Sequence, residues 1–540
     1  MANKPLETPL PADLPENWSE GQIVAPAGGS VGLSQQHGYN YLMNQVNAAQ
    51  RAVNQINQSF ENISGKRVCR AVVGAASAGW TAGDCDFLCD GQNDDAQIVK
   101  ALETLKSHGG KLVFLSGDYK VNQALDLLDL GELGGDIGLE GCPGARLILT
   151  KNLSFRADKA PCHCHISGLT FQAEGAAVLY LSELHALVEN CMFQNVRVEF
   201  SGSRSGLPAT DFLFQNNWME TTATMPSEGW GLLRVSTITS AEGSKTAIAH
   251  NFIRSAAKLP ILEAFPPPGG TSVFLSNNHI QGFGENAQTF NIDRGALVAD
   301  NIFVDIKQLD IAYSSVVGNY VKNGVLWVNG PNNGAVDIPL ASAVCNQVEN
   351  GSIVASGLTM VTGNSVQAPS DASGIFCVKS ANNAAPEASP SVTGNFVAGQ
   401  TVGIQLNANS YQAPECSCAL VSGNKIYGCS TPIQIEANWS DCLIADNLFP
   451  AGSIVDKGTG NLIRGNSNDK GSGAGTQGPQ GPPGQGLPSG GKRGQILAKA
   501  SDADYDFVWI DPPSGGGGAT PEQIAEAARI LVEQSWEESY

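Results

Sequence analysis

One short pattern recurs along half of this chain and limits what the chain can fold into. Between residues 190 and 466, an asparagine repeatedly follows a glycine, aspartate, asparagine or other turn residue and leads, within a residue or two, to an apolar residue. The eleven steps between successive copies average (466 − 190)/11, about 25 residues. Twelve asparagines share this position: Asn190, Asn217, Asn251, Asn278, Asn301, Asn319, Asn346, Asn364, Asn395, Asn424, Asn447 and Asn466.

A repeat of this length predicts a solenoid, because each coil buries an apolar face only by stacking on its neighbours. Asparagine suits a corner of such a coil, since it tolerates the left-handed backbone region and its amide can hydrogen-bond to the equivalent amide one coil away. We therefore expect the asparagines to form a ladder. The longest steps carry inserts at 221–231 and 380–390, which predict loops on one side of the rod, where recognition or catalysis would take place.

Composition agrees with a repeat array. A chain of 540 residues is too long for one compact core. Glycine accounts for 62 residues, and only 15% of residues are charged, against about 25% in ordinary globular domains. This profile is typical of a chain with many short turns and stacked uncharged side chains, and it does not fit an ordinary helical enzyme.

The segment before the repeat predicts a helix followed by a β-strand. Apolar residues at 98, 101, 102 and 105 have helical spacing, and Asp94 can cap the first backbone amides of that helix. A Gly-Gly pair at 109–110 ends the helix. The apolar run at 111–115 is a predicted strand, and Ser116-Gly117-Asp118-Tyr119 closes it.

This segment resembles the entrance of the pectate-lyase-like right-handed parallel β-helix superfamily. In that superfamily a D-G-x-x-D-D motif, a capping helix and a G-G-x-strand-P-x-G-x-Y motif precede the first coils. Here Asp94 and Asp95 end the first motif, and Ser116 stands where proline is usual. The resemblance implies an N-terminal cap found in tailspikes as well as enzymes, with structural rather than catalytic roles for the two aspartates.

Segments at the two ends of the chain predict self-association. Residues 39–60 carry apolar side chains at alternating spacings of three and four, which is a heptad seam on a helix. Four consecutive Gly-x-y triplets begin at Gly475, and only glycine fits the axis of a collagen triple helix. The alternatives are a single helix packed on the next domain and a flexible Gly/Pro linker. We favour three parallel copies.

Two terminal segments resemble phage proteins. Residues 490–509 are similar to a short module common in phage tail fibres, and residues 14–18 with 38–43 are similar to the start of phage and prophage tail proteins. The resemblance implies a tail fibre or tailspike-like protein whose partners are other copies of itself, other virion tail or baseplate proteins, and a host cell-surface glycan or protein. Its location would be the virion tail, after synthesis in the bacterial host cytoplasm.

We predict an all-β fold: a right-handed parallel β-helix with an N-terminal α-helical coiled coil, a short collagen-like segment and a C-terminal helix. In chain order, we expect an extended attachment arm at 1–33, a coiled-coil helix at 34–66, the β-helix entrance with its capping helix at 67–160, the parallel β-helix at 161–468, a Gly-rich collagen-like linker at 469–489, a tail-fibre-type module at 490–513, and a Gly linker with a C-terminal helix at 514–540.

Several function classes are disfavoured by charge and cysteine usage. The formal charge is −20 and no basic stretch exceeds Lys492-Arg493, which argues against nucleic-acid binding. No export signal and no apolar run of about 18 residues is present, so neither export nor membrane insertion is expected. Thirteen cysteines without an export signal indicate reduced thiols. The run Cys162-His163-Cys164-His165 would place cysteines and histidines on opposite strand faces, so we predict no metal and no cofactor.

Two functions stay open: a trimeric host-surface adhesin, which we favour, and a depolymerase that cleaves a surface polysaccharide with two carboxylates. No compact catalytic signature is present, so enzymatic activity is left undecided. Trp218 beside Glu220, and Trp230 beside Glu228, are candidate sugar platforms, with core or trimer contacts as the alternative. The catalytic candidates are Glu220, Glu263 and Asp293, from a scattered set that also includes Glu183, Glu189, Asp300 and Asp310.

Overall fold

The computed structural model describes residues 69–467 with internal gaps, parts of 492–511, and the helical residues Arg51 and Asn54. The attachment arm, nearly all of the coiled-coil helix, the collagen-like linker and the C-terminal helix lie outside the described residues and stay predictions. The gaps within the first range fall at 93, 106–108, 124, 128–135, 158–161, 203–209, 223–230, 237–243, 257–259, 266–271, 283–289, 293–294, 331–340, 379–388 and 408–415.

The chain up to Asp469 forms one unit in which strands of successive coils pair in parallel. These strands build three stacks, which we call walls 1, 2 and 3 in the order in which each coil visits them. The prediction of a parallel β-helix is confirmed, while its right-handed sense stays a prediction. Wall 1 contains β1 (Cys69–Ala75), β2 (Phe87–Cys89), β3 (Gly110–Phe114), β6 (Ile137–Gly141), β9 (His163–Ser167), β11 (His185–Glu189), β13 (Phe212–Gln215), β16 (Lys245–Ala249), β19 (Ser272–Ser276), β22 (Ala296–Ala299), β25 (Ser315–Val317), β28 (Ala341–Val344), β31 (Thr359–Thr362), β34 (Ser391–Thr393), β38 (Leu420–Ser422), β42 (Leu443–Ala445) and β44 (Leu462–Arg464).

Wall 2 follows wall 1 in every coil, and two long strands run through its far corner into wall 3. These two are β10 (Thr170–Ser182) and β12 (Met192–Ser201). The other strands of wall 2 are β4 (Gly117–Val121), β7 (Ala145–Leu149), β14 (Trp218–Thr221), β17 (Phe252–Ser255), β20 (His279–Gly282), β23 (Ile302–Val304), β26 (Tyr320–Lys322), β29 (Gln347–Glu349), β32 (Ser365–Gln367), β35 (Phe396–Ala398) and β39 (Lys425–Tyr427).

Wall 3 completes each coil. Besides the second halves of β10 and β12, it contains β5 (Leu125–Leu127), β8 (Leu153–Arg156), β15 (Leu233–Ser236), β18 (Leu262–Phe265), β21 (Phe290–Ile292), β24 (Gln308–Ala312), β27 (Val325–Asn329), β30 (Ser352–Ser356), β33 (Ile375–Val378), β36 (Val402–Leu406), β40 (Thr431–Ile435) and β43 (Val455–Asp456). A separate two-stranded sheet pairs β37 (Cys416–Ser417) with β41 (Trp439–Ser440).

The second unit, residues 470–540, contains an antiparallel pair among its described residues. Strand β45 (Ile496–Lys499) pairs with β46 (Phe507–Ile510), and Leu497 lies opposite Trp509. Both strands fall inside the predicted tail-fibre-type module.

A helix precedes the first full coil, as the sequence predicts. Helix α1 (Asp94–Leu105) buries Ile98, Ala101, Leu102 and Leu105. The carboxylate of Asp94 accepts the backbone N–H of Gly91 at 2.7 Å through one oxygen and that of Lys120 at 2.8 Å through the other. Asp94 therefore holds the start of the helix to β4, which is a structural role.

The corner between walls 1 and 2 holds the asparagines. Eleven of them, from Asn217 to Asn466, are at most 4% exposed and form a continuous ladder. The side-chain nitrogen of Asn251 donates to the Oδ1 of Asn278 at 2.9 Å, and the backbone N–H of Asn251 donates to the same oxygen at 3.0 Å. The same two bonds recur from Asn278 through Asn447.

Asn190 is not a member of the ladder, which corrects its predicted role. Its φ is 55°, and the next residue, Cys191, takes the ladder position by donating its backbone N–H to Asn217 Oδ1 at 2.9 Å. In every later coil the residue before the ladder asparagine likewise adopts positive φ, as Asn216, Asp300 and Gly318 do. The left-handed turn and the ladder contact therefore belong to two adjacent residues, although the sequence pattern assigned both to the asparagine.

Extra residues enter at two corners of the coil. The corner from wall 1 to wall 2 has a constant length of two residues from Asn216 onward. The insert at 221–231 joins wall 2 to wall 3, whereas the insert at 380–390 joins wall 3 to wall 1. Both variable corners border wall 3.

The interior is a continuous apolar column. Inward side chains of all three walls are almost completely buried, because alternate residues of each strand point into the coil. Aromatic rings pack together in one part of it: Phe193 stacks on Phe171 with ring centroids 5.1 Å apart and lies 5.6 Å from Phe214, while Phe200 stacks on Phe212 at 4.5 Å. Among the described residues, no helix is long and apolar enough to cross a membrane.

Candidate functional site

The outer face of wall 3 carries a row of polar and aromatic side chains, one from each of seven successive coils. Strand register places them directly beside one another along the axis of the solenoid. Adjacent members are therefore about 4.8 Å apart at the backbone. We call this set the wall 3 row: Tyr180, Glu199, Arg234, Glu263, Asn291, Asp310 and Trp327.

The first half of the row is a partly buried charge cluster. Arg234 pairs with Glu199 at 3.1 Å between Nη1 and Oε1, and their side chains are only 11% and 16% exposed. Glu263 is 9% exposed, and its Oε2 accepts the backbone N–H of Gly231 at 2.6 Å. A Cβ at residue 231 would lie 3.2 Å from the Cγ of Glu263, so a residue larger than glycine would crowd the Glu263 side chain.

Arg197 adds a second cation to this cluster. It lies between the inward-facing residues Val196 and Val198 of β12, so its side chain points outward. Desolvation by burial lowers the pKa of its guanidinium, and the negative charges of neighbouring Glu199 and Glu263 oppose that effect. Within the described part of the chain, its Nε is buried and makes no hydrogen bond.

The second half of the row is fixed by hydrogen bonds around Asn329. Its Nδ2 donates to Asp310 Oδ1 at 2.7 Å, and its Oδ1 accepts the indole N–H of Trp327 at 2.7 Å and the hydroxyl of Ser356 at 2.6 Å. These contacts orient a carboxylate and an indole on one face. Wall 3 therefore presents fixed acceptors, donors and an aromatic ring in a single line.

The structure separates the catalytic candidates from one another. Glu263 and Asp310 belong to the wall 3 row, but Glu220 lies on the outer face of wall 2, where it pairs with Arg254 at 3.6 Å. Glu220 and Glu263 therefore do not share a face. Trp218 also lies on wall 2, whereas Asp293, Trp230 and Glu228 fall outside the described residues.

The remaining candidates have structural partners. Glu183 pairs with Arg156 at 3.7 Å, and Asp300 occupies a left-handed corner before Asn301. On the outer face of wall 1, Glu189 Oε1 lies 3.0 Å from His165 Nε2, and this hydrogen bond lowers the pKa of the Glu189 carboxyl.

The side chains of the run Cys162-His163-Cys164-His165 alternate between the two faces of their strand, as the sequence predicts. Cys162 and Cys164 are buried in the core, while His163 and His165 face outward. The ring of His163 stacks on His185 at 4.7 Å, and its Nδ1 lies 2.8 Å from Asp136 Oδ1. No group of three or more potential ligands among the described residues could hold a metal ion.

Comparison with known proteins gives fold-level likenesses only. No protein-family model matches the sequence, and no curated protein matches it. The solved structures it is similar to include the catalytic unit of the GH87 alpha-1,3-glucanase from Streptomyces thermodiastaticus, with 14% identity over 74% of this chain and 72% of that chain and a TM-score of 0.38.

Two others have comparable scores. The PL6 family alginate lyase AlyGC is 14% identical over 73% of this chain and 53% of its own, with a TM-score of 0.34. The A-module of the Azotobacter vinelandii mannuronan C-5 epimerase AlgE4 is 12% identical over 73% of this chain and 98% of its own, with a TM-score of 0.27.

Proposed function

We propose that this chain is a virion tail fibre or tailspike-like protein that acts as a homotrimeric adhesin and binds a host-surface glycan along wall 3. The terminal segments that resemble phage tail proteins support the location and the virion partners. The stacked coils support a stiff rod with reach. Three copies would raise the effective concentration of weak individual sites.

The wall 3 row is the observation that carries this proposal. Seven side chains in six coil steps span about 29 Å, long enough for an extended oligosaccharide. A glycan presents many hydroxyl groups, which require both donors and acceptors, and the row supplies both beside an indole. Both corners at which coil length varies border this wall, so the inserted residues leave and re-enter the coil beside it.

Binding to purified host envelope polysaccharide tests the proposal. The double variant Tyr180→Phe/Asn291→Ala removes one hydroxyl and one amide from the row. We expect affinity to fall about five- to 150-fold, because each of the two lost hydrogen bonds contributes about 0.5–1.5 kcal/mol. The control is Glu140→Gln on wall 1, which should bind like the unmodified protein. Equal binding by the row variant, or no binding by the unmodified protein, would contradict this function.

Glycan cleavage is the second candidate, favoured by the carboxylates of the same row. Glu199 and Glu263 lie two coils apart, as do Glu263 and Asp310, so each pair is separated by about 9.6 Å at the backbone. Inverting glycosidases hold their two carboxyl groups about 6.5–9.5 Å apart.

Release of new reducing ends from the polysaccharide separates the two candidates. For an adhesin we expect none from the unmodified protein. If reducing ends do appear, cleavage by the wall 3 row requires that Glu263→Gln abolish them while polysaccharide binding persists. Cleavage that survives Glu263→Gln would place the chemistry elsewhere.

A further inference from the structure

Exposed apolar side chains are concentrated on wall 2. Among the described residues, nine large hydrophobic side chains have exposures between 36% and 52%. Six of these nine lie on the outer face of wall 2 or directly beside its last strand, whereas the outer face of wall 3 contributes none. The six are Met192, Trp218, Ile302, Phe396, Tyr427 and Leu448.

Strand register aligns most of them into one line parallel to the solenoid axis. Leu448 extends the line through an isolated bridge to Lys425. The line has eleven positions and ten coil steps, so it is about 48 Å long. We call it the wall 2 stripe: Met192, Trp218, Phe252, His279, Ile302, Tyr320, Gln347, Ser365, Phe396, Lys425 and Leu448.

The aromatic rings of the stripe cover one another. Trp218 stacks on Phe252 with ring centroids 4.2 Å apart and planes at 23°, and Phe252 lies 4.9 Å from His279. A sugar platform needs a free ring face, but here the facing surfaces of adjacent coils are already occupied. What the stripe presents outward is a ridge of ring edges and aliphatic groups, which suits packing against another protein surface.

Charge also distinguishes this face from the rest of the molecule. The whole chain carries a formal charge of −20, which disfavours the approach of a second copy. Beside the stripe, however, Glu220 pairs with Arg254 at 3.6 Å, and Lys322 pairs with Glu349 at 2.8 Å, while the Tyr320 hydroxyl donates to Glu349. The two charges within each pair cancel, so the pairs add no net negative charge to this face.

We propose that the wall 2 stripe packs against the same stripe of two further copies of this chain, parallel and in register around a three-fold axis. This inference deepens the trimer of the proposed function by naming the face that forms it. Each stripe is about 48 Å long and about 10 Å wide, so the contact buries about 480 Å² on each copy, about 1,440 Å² in the whole trimer. Because the line is straight and parallel to the axis, all eleven of its positions can meet their counterparts in the other copies.

Like charges placed on the stripe test the inference. The double variant Ile302→Glu/Phe396→Glu adds two carboxylates per copy at positions 40% and 44% exposed in the single chain. Polar residues already stand in this column at 347, 365 and 425, so the coils tolerate them. We expect the concentration for half-dissociation, measured by sedimentation of the full-length protein, to rise about tenfold or more. Unchanged assembly, combined with failure of the disulfide trapping described next, would overturn the proposed interface.

Disulfide trapping tests the stripe directly, even if the terminal segments alone keep the three copies together. Ser365 is exposed in the middle of the stripe, whereas Ser391 is half-buried on wall 1. Under mild oxidation, Ser365→Cys should form covalent dimers between copies and Ser391→Cys should not. A trimer in which Ser365→Cys fails to cross-link would mean that the stripe contacts something else, a glycan or another virion protein, and would overturn this inference alone.

The two proposals can fail separately. A monomeric unmodified protein would remove both the trimer and its interface. Loss of polysaccharide binding in the wall 3 variant, with normal assembly, would leave the adhesin in place whatever the outcome of the trapping experiment.

Discussion

The variant Asn319→Ala should unfold with a free energy about 3 kcal/mol lower than the unmodified protein. Asn319 Oδ1 accepts two donors of Asn301, its backbone N–H and its Nδ2, each at 2.9 Å. Asn319 Nδ2 donates to Asn346 Oδ1 and to Val298 O, also at 2.9 Å each. Alanine removes these bonds in a corner that is about 1% exposed. A buried donor left without its acceptor costs about 1–3 kcal/mol, and each further lost bond adds about 0.5–1.5 kcal/mol.

Urea unfolding followed by circular dichroism measures this loss. The control is Asp371→Ala, which truncates an exposed side chain in the turn before β33 and should change the unfolding free energy by less than about 0.5 kcal/mol. Equal stability of Asn319→Ala and the control would mean that the ladder contributes nothing to the fold.

The second large effect is expected from Phe193→Ala, which should lower the free energy of unfolding by about 4 kcal/mol. Phe193 is fully buried, stacks on Phe171 of the preceding coil and lies 5.6 Å from Phe214 across the interior. Alanine would open a cavity that the stacked coils cannot close, because the hydrogen-bonded strands fix the spacing of the coils.

The conservative variant Phe193→Leu keeps an apolar side chain at this position but removes the aromatic stack. It therefore separates these two contributions to stability. It keeps most of the side-chain volume, so we expect a loss of about 1.5 kcal/mol or less in the same urea unfolding experiment. If alanine and leucine are equally tolerated, the aromatic stack is not a source of stability.

The ladder could be predicted from the sequence because it is a local feature. From Asn216 onward the corner between walls 1 and 2 has two residues, a left-handed one and then the asparagine, so the signal survives changes elsewhere in the coil. The earlier coils place Leu169 and Cys191 at the ladder position. Those coils have no asparagine at the ladder position, so the pattern does not mark them, although parallel strand pairing already begins at Cys69.

The wall 3 row could not be predicted, because the row depends on register over long distances. In either direction along the chain, one corner of variable length separates the asparagine from wall 3, so counting along the chain cannot tell which carboxylates align. Glu220 and Glu263 each follow an apolar residue in the sequence, yet they lie on different walls. No local pattern in the sequence marks Glu199, Arg234 or Trp327, so they were not among the predicted site residues.

The most direct test of the stacked coils is the distance between spin labels at the left-handed corner. Cys345 already occupies this position with φ of 53°, so cysteine is accepted there in place of Asn216, Asp300 or Asp446. The exposed native cysteines are first replaced, and labelled chains are diluted by co-expression with an excess of chains without the new cysteines. Six coils separate residues 300 and 446, and nine separate 216 and 446, so the account predicts distances of about 29 Å and about 43 Å. Distances that do not increase with the number of coils would contradict the solenoid and every face assigned to it.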